Sequence, residues 1–183
     1  MSVQKGDKEV FISENVFVGL ILSSVEVYKK ECFGLLLGYK TPNKYIVEHA
    51  IPYQSARRGH KWIELRGDKW KIIQEVVQHF PKLDMLGDFH SHTMYRNVRA
   101  DVVLSEEDVV DMYPDELQIV IAVNEYKRFM PWTFNPDQTI SGTINGFHFK
   151  LAAYYLPSED TDEDKVNAKA LCAAKINCPF FIE

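Results

Sequence analysis

Two short apolar runs set the tightest limits on how this chain can fold. "LDMLGDFHSH" (83–92) and "ELQIVIAVNEY" (116–126) each read as a strand buried in a sheet. The first ends in two histidines separated by one residue. Alternate residues of a strand share a face, so His90 and His92 project together while Ser91 points away.

The rest of the chain has to supply partners for these strands. "SENVFVGLILSSVEVYKK" has Ser13 as an N-cap and Val16, Leu20 and Val27 at helical spacing, so a helix is expected. "ECFGLLLGY", closed by the turn "TPNK", and then "YIVEHAIPYQ" read as two strands. "GDKWKIIQEVVQHF" carries Trp70, Ile73 and Val77 at helical spacing and is ended by Pro81. "SEEDVVDMY" reads as a short helix, and Asn145-Gly146 between "TISGTI" and "FHFKLAAYYL" signals a hairpin. The expected fold is α/β, a mixed sheet covered by two main helices, within one domain over residues 1–156. Beyond Pro157, "SEDTDEDK" reads as a solvated acidic linker, so residues 157–183 are expected to be linker and mobile C-terminal tail.

Bulk properties exclude several classes. The 183 residues carry 21 basic and 26 acidic side chains, a net charge of −5, which argues against general nucleic-acid binding. The apolar run "VFVGLIL" (16–22) is far too short to span a bilayer, and "MSVQKGDKEV" has no apolar signal core. Three cysteines with no CxxC suit a reduced, cytoplasmic protein. No membrane and no nucleic-acid partner are expected.

Two imidazoles on one strand face can chelate a borderline cation such as zinc, although an isolated HxH also arises by chance. Met94 and Tyr95 rule out the HxHxDH of metallo-β-lactamases, and no Glu follows His92 at cupin spacing. The chain is also short for an amidohydrolase barrel. A distal carboxylate remains. Asp108 lies three residues after Ser105, an arrangement that reads equally as a helix cap. Glu31 opens the strand "ECFGLLLG", where desolvation would raise its pKa toward that of a useful base; it also simply ends the charged "YKKE".

Taken together, Glu31 in "ECFGLLLG", then "GDFHSH", then "SEED" resemble the JAMM motif (JAB1/MPN/Mov34, or MPN-plus), in the same order, over about residues 10–125. The resemblance implies a curved mixed sheet flanked by helices, of JAB1/MPN-like (cytidine-deaminase-like) architecture. It implies a zinc metallopeptidase or isopeptidase that cleaves by zinc-activated water, next to the C-terminus of a ubiquitin-like or sulfur-carrier protein. His90, His92 and Asp108 match the Zn2+ ligands, Glu31 the catalytic acid/base, and Ser105 the hydroxyl that supports the oxyanion. A metal hydrolase of the same family acting on another amide, or a non-catalytic scaffold, are the alternatives.

Two departures bear on the third ligand. Thr93 stands where the family commonly has Pro, and twelve residues rather than seven separate His92 from Ser105. Asp101 and Asp111 are then further carboxylates within reach, but Val98 rather than Ser precedes Asp101 by three, which favours Asp108. The enlarged segment 93–104, with Arg96 and Arg99, is expected to be mobile or to fold over the cleft as a lid.

Overall fold

The two buried runs form adjacent parallel strands, β6 (Asp84–Thr93) and β7 (Leu117–Glu125), with Phe89 opposite Ile119 and His90 opposite Val120. The structure, a computed structural model, describes residues 3–59, 63–64, 66–157 and 171–178. Before β6 come β1 (Gln4–Ile12), α1 (Glu14–Glu26), β2 (Phe33–Thr41), β3 (Lys44–Pro52), the short β4 (Arg57–Arg58) and β5 (Ile63–Glu64), and α2 (Gly67–Val77). After β6 comes α3 (Glu106–Val110); β7 is followed by β8 (Thr133–Phe134), β9 (Ile140–Ile144), β10 (Phe147–Tyr155) and β11 (Cys172–Asn177). The β9–β10 hairpin turns on Asn145 and Gly146 with φ of 46° and 83°, the double positive φ that a two-residue primed turn needs.

The main sheet runs β11-β1-β3-β2-β6-β7-β10-β9-β8, and β11 pairs again with β10. The second pairing closes seven strands into a barrel. This overturns the expected helix-flanked curved sheet of JAB1/MPN type: the chain is mostly β, with three small helices among the described residues. The closing strands explain the difference. In β11 and just beyond it, Cys172, Ala174, Ile176 and Cys178 alternate into the core while Lys175 stays outside. Paired with β1 on one side and β10 on the other, β11 leaves the barrel without an open edge. Part of the segment expected as a C-terminal tail is therefore barrel wall, whereas the acidic "SEDTDEDK" lies outside the described residues.

The two helices expected to cover a sheet behave differently. Ser13 caps α1 by accepting from the Val16 N–H at 3.3 Å, and α1 buries Val16, Phe17, Leu20 and Ile21 in the same core as the inward residues of the barrel. By contrast, α2 buries none of its residues fully. Among the described residues no helix is long and apolar enough to cross a membrane.

Both faces of β7 are covered, which is why residues 119–123 form a continuous apolar run. Leu117, Ile119, Ile121 and Val123 face the barrel core. Val120 and Ala122 face outward against a second cluster with Val102 and Met112, contributed by the segment between β6 and β7. His90 and His92 lie on this outer side.

A bulge puts them there. Leu36 of β2 pairs with Gly87 but Leu37 pairs with Met85, so Leu86 is an extra residue in β6. Leu86 and Phe89 both enter the core, and the phase shift between them turns Asp88, His90 and His92 outward. Gly87 has φ 147°, and a Cβ there would stand 1.9 Å from the Leu117 carbonyl oxygen. Gly87→Ala should therefore cost at least about 3 kcal/mol, since strain and overlap add. Urea unfolding showing a loss under about 1 kcal/mol would mean the bulge relaxes freely.

Candidate metal centre

His90 and His92 stand on the outer face of β6 with their Nε2 atoms 3.1 Å apart. The Asp108 carboxylate reaches both: Oδ1 lies 3.8 Å from His90 Nε2 and Oδ2 lies 3.9 Å from His92 Nε2. One ligand atom from each of these residues falls within 4.8 Å of the others. Two nitrogens and one oxygen suit zinc, whose tetrahedral shell at about 2.0–2.1 Å places neighbouring donors about 3.3 Å apart. The nitrogen pair is close to that spacing, and the carboxylate would close in by a few tenths of an ångström.

The protonation states favour a cation. His92 Nδ1 donates to the Asp101 carbonyl at 2.7 Å, which leaves the Nε2 lone pair facing the cluster. Burial, then the neighbouring His92, pushes His90 down to about 4, against the opposing pull of Asp108, so its ring is neutral at neutral pH. Two imidazole nitrogens and a carboxylate oxygen form a donor set suited to a divalent ion.

Ser105 lines the cleft with its hydroxyl engaged by Asp108. Its Oγ and its backbone N–H both donate to Asp108 Oδ2 at 2.7 Å, and Oγ accepts from the Asp108 N–H at 3.1 Å, a closed capping box at the start of α3. The cap fixes the carboxylate while Oδ1 faces His90. In this arrangement Ser105 orients a candidate ligand; its expected part in supporting an oxyanion would require the hydroxyl to turn.

The rival carboxylates are placed otherwise. Asp101 contributes its backbone carbonyl to His92, while its carboxylate accepts from the Val102 N–H at 2.7 Å and lies 3.7 Å from Lys150 Nζ. Asp111 is the C-cap of α3 and lies outside the cluster. Asp108→Asn should thus weaken zinc binding by more than about 100-fold, beyond what an outer hydrogen-bond partner is worth, and Asp101→Asn by less than about tenfold. Competition with a zinc-chelating dye gives both constants, and the reverse order would reassign the third ligand.

The enlarged segment after His92 is tied down at several points. Tyr95 and Val98 exchange backbone hydrogen bonds. The buried Asn124 side chain clamps Ala100 at both its N–H (2.8 Å) and its carbonyl (3.0 Å). Val102 is buried, and its carbonyl accepts from Tyr154 Oη at 3.1 Å. These contacts place the Asp101 carbonyl behind His92, and Thr93, Tyr95, Val98 and Arg99 of the same segment line the cleft.

Glu31 lines the same cleft. Phe33 pairs with His90, and the Ser91 N–H donates to the Cys32 carbonyl, so the antiparallel register sets Glu31 opposite His92. The fully buried Ser91 Oγ accepts from the Cys32 N–H at 2.9 Å and completes the tie. Ser91 is a positioning residue that sequence reasoning set aside as pointing away. Asp88 was also missed; it sits two residues before His90 and opposite Gln118. Burial, reinforced by the charges of Glu116, Asp108 and Asp111, pushes its carboxyl up to about 7 despite a hydrogen bond from Gln118.

No protein-family model matches the chain, and no curated protein matches it. Among solved structures, the chain is similar to the solution structure of protein DSY2949 from Desulfitobacterium hafniense, with 16% identity, a TM-score of 0.51 and 92% of each chain covered. At that identity the likeness is one of fold alone.

Proposed function

We propose that this chain is a zinc-dependent hydrolase of amide bonds, a metallopeptidase or isopeptidase acting next to the C-terminus of a ubiquitin-like or sulfur-carrier protein. The observation that carries the reading is the convergence of His90, His92 and Asp108 on one point at the wall of a large cleft. The order of Glu31, the His pair and Ser105-x-x-Asp108, which resembles the JAMM motif, supports the choice of substrate class.

His90, His92 and Asp108 would hold the ion, three protein ligands being the pattern of a catalytic rather than a structural site. When bound, zinc supplies Lewis acidity, polarising a carbonyl and making water a competent nucleophile near neutral pH. The Asp101 carbonyl keeps His92 in the ligand tautomer, and the capping box keeps Asp108 aimed. Glu31, which lines the same cleft as His92, takes a proton from the attacking water and returns it to the departing amine. Three buried cysteines, Cys32, Cys172 and Cys178, with no CxxC pattern fit a reducing compartment such as the cytoplasm.

The test is cleavage of a ubiquitin-like protein fused through its Gly-Gly terminus, with zinc-loaded protein and with protein stripped by a chelator. Activity that requires added zinc is the expected result. No cleavage of fusions or isopeptide conjugates by fully loaded protein would set this reading aside.

A further inference from the structure

His92 owes its bearing on the cluster to a backbone atom, the Asp101 carbonyl that accepts from its Nδ1 at 2.7 Å. Without that acceptor an imidazole can carry its proton on either nitrogen, and the Nε2–H form has no lone pair there to offer an ion. Every residue has a backbone carbonyl, so no substitution of Asp101 removes this one. What can be varied is the side chain that sets where the carbonyl stands.

Asn124 is placed to do so. It lies on the outward face of β7, one two-residue step beyond Ala122, the register partner of His92. Its Oδ1 accepts from the Ala100 N–H at 2.8 Å, and its Nδ2 donates to the Ala100 carbonyl at 3.0 Å. The amide pairs with Ala100 much as a neighbouring strand would, at the residue directly before Asp101. Both of its ends are specified, because Ala100 needs an acceptor on one side and a donor on the other. Asn124 is only 5% exposed, so a bond left unmade there is costly.

The other contacts of this stretch reach it differently. The Asp101 carboxylate accepts from the adjacent Val102 N–H, a local bond that travels with the segment. Tyr154 of β10 donates to the Val102 carbonyl, on the far side of Asp101 from Ala100. Among these contacts, the Asn124 clamp is the one that starts on the strand paired with β6, so it sets the segment directly against His92.

We propose that Asn124 is a positioning residue for His92. By clamping Ala100 it sets the Asp101 carbonyl, which keeps the proton on Nδ1 and leaves Nε2 open to the ion. The proposal rests on the zinc-hydrolase reading for the ion only; the tautomer of His92 needs neither metal nor turnover.

The tautomer is read from the His92 ring nitrogens in long-range proton–nitrogen correlation spectra of the metal-free full chain in mildly alkaline buffer. Zinc affinity is read by competition with a chelating dye. Wild type should show the Nδ1–H form. Asn124→Leu removes both bonds, and Asn124→Asp keeps the acceptor but loses the donor. Each should give a mixture of tautomers and weaken zinc binding by about tenfold or more. Asn124→Asp preserves the size of the side chain and decides the matter if Asn124→Leu does not fold. Ile176→Val is the stability reference, a core change in a strand that pairs with neither β6 nor β7. It should lower the melting temperature and leave tautomer and affinity unchanged. A wild type without the Nδ1–H form, or Asn124 variants that keep it, overturn the proposal. So does a reference variant that moves both readouts as far as Asn124→Asp does. Where wild type binds zinc, unchanged affinity in the Asn124 variants overturns it too. A wild type that binds no zinc, or binds it and cleaves nothing, sets the hydrolase aside, and the tautomer comparison still decides the role of Asn124.

Discussion

The wild type should carry about one zinc ion per chain, and replacing His90 or His92 with alanine should yield a folded chain that no longer retains it. Each ring supplies one of two nitrogens held 3.1 Å apart, and the remaining imidazole with Asp108 makes only a two-point site. The fold should survive because neither imidazole belongs to the barrel core; Phe89 and the residues of β7 that face inward do. His92→Ala also frees the Asp101 carbonyl, so a small drop in melting temperature is expected for that variant alone. Elemental analysis after zinc-replete refolding, with thermal melting on the same samples, reads both effects. Zinc retained at wild-type level in both variants would place any metal elsewhere.

The sequence made part of this centre legible and hid another part for a definable reason. A period of two places His90 and His92 on one face whatever the fold, so their pairing could be read from spacing alone. Which face they occupy could not. That depends on the extra residue at Leu86 and on the positive φ of Gly87, a local reset of the alternation that leaves only a glycine as its trace. The Asp101 carbonyl behind His92 is hidden more deeply, because a backbone oxygen has no residue signature.

The barrel was illegible for a different reason. β1 reads "QKGDKEVFI", with only Val10 and Ile12 fully buried, and β11 meets it from more than 160 residues away. Strand pairing over such a separation is decided by the assembled barrel and by no local pattern. The JAMM-like motif covers the segment from Glu31 to Asp108 and contains neither closing strand, which is why an expectation of helix-flanked architecture drawn from it failed. At Ser105 and Asp108 two readings that competed in the sequence turn out to be compatible. Asp108 Oδ2 serves the cap and Oδ1 faces His90, so the helix start aims the carboxylate.

Glu31→Gln should lower hydrolysis by roughly 10²–10⁴, the usual worth of a positioned general acid–base, while leaving zinc content and melting close to wild type. Glutamine keeps the size of the side chain and much of its hydrogen-bonding capacity but cannot take up a proton. Zinc should remain because the three candidate ligand atoms come from His90, His92 and Asp108. The position should also hold, since the Glu31 N–H donates to the Gly59 carbonyl at 3.1 Å and the adjacent Cys32 is tied to Ser91 through backbone groups that the substitution does not touch. This combination separates a proton carrier from a structural residue: a structural role would show first in the melt and in the metal content. The rates are to be read on the Gly-Gly-linked fusion with equal zinc loading in both proteins. A variant that keeps the full wild-type rate would remove Glu31 from the mechanism and leave the proton to a neighbour in the cleft, of which Asp88, two residues from His90, is the first to replace.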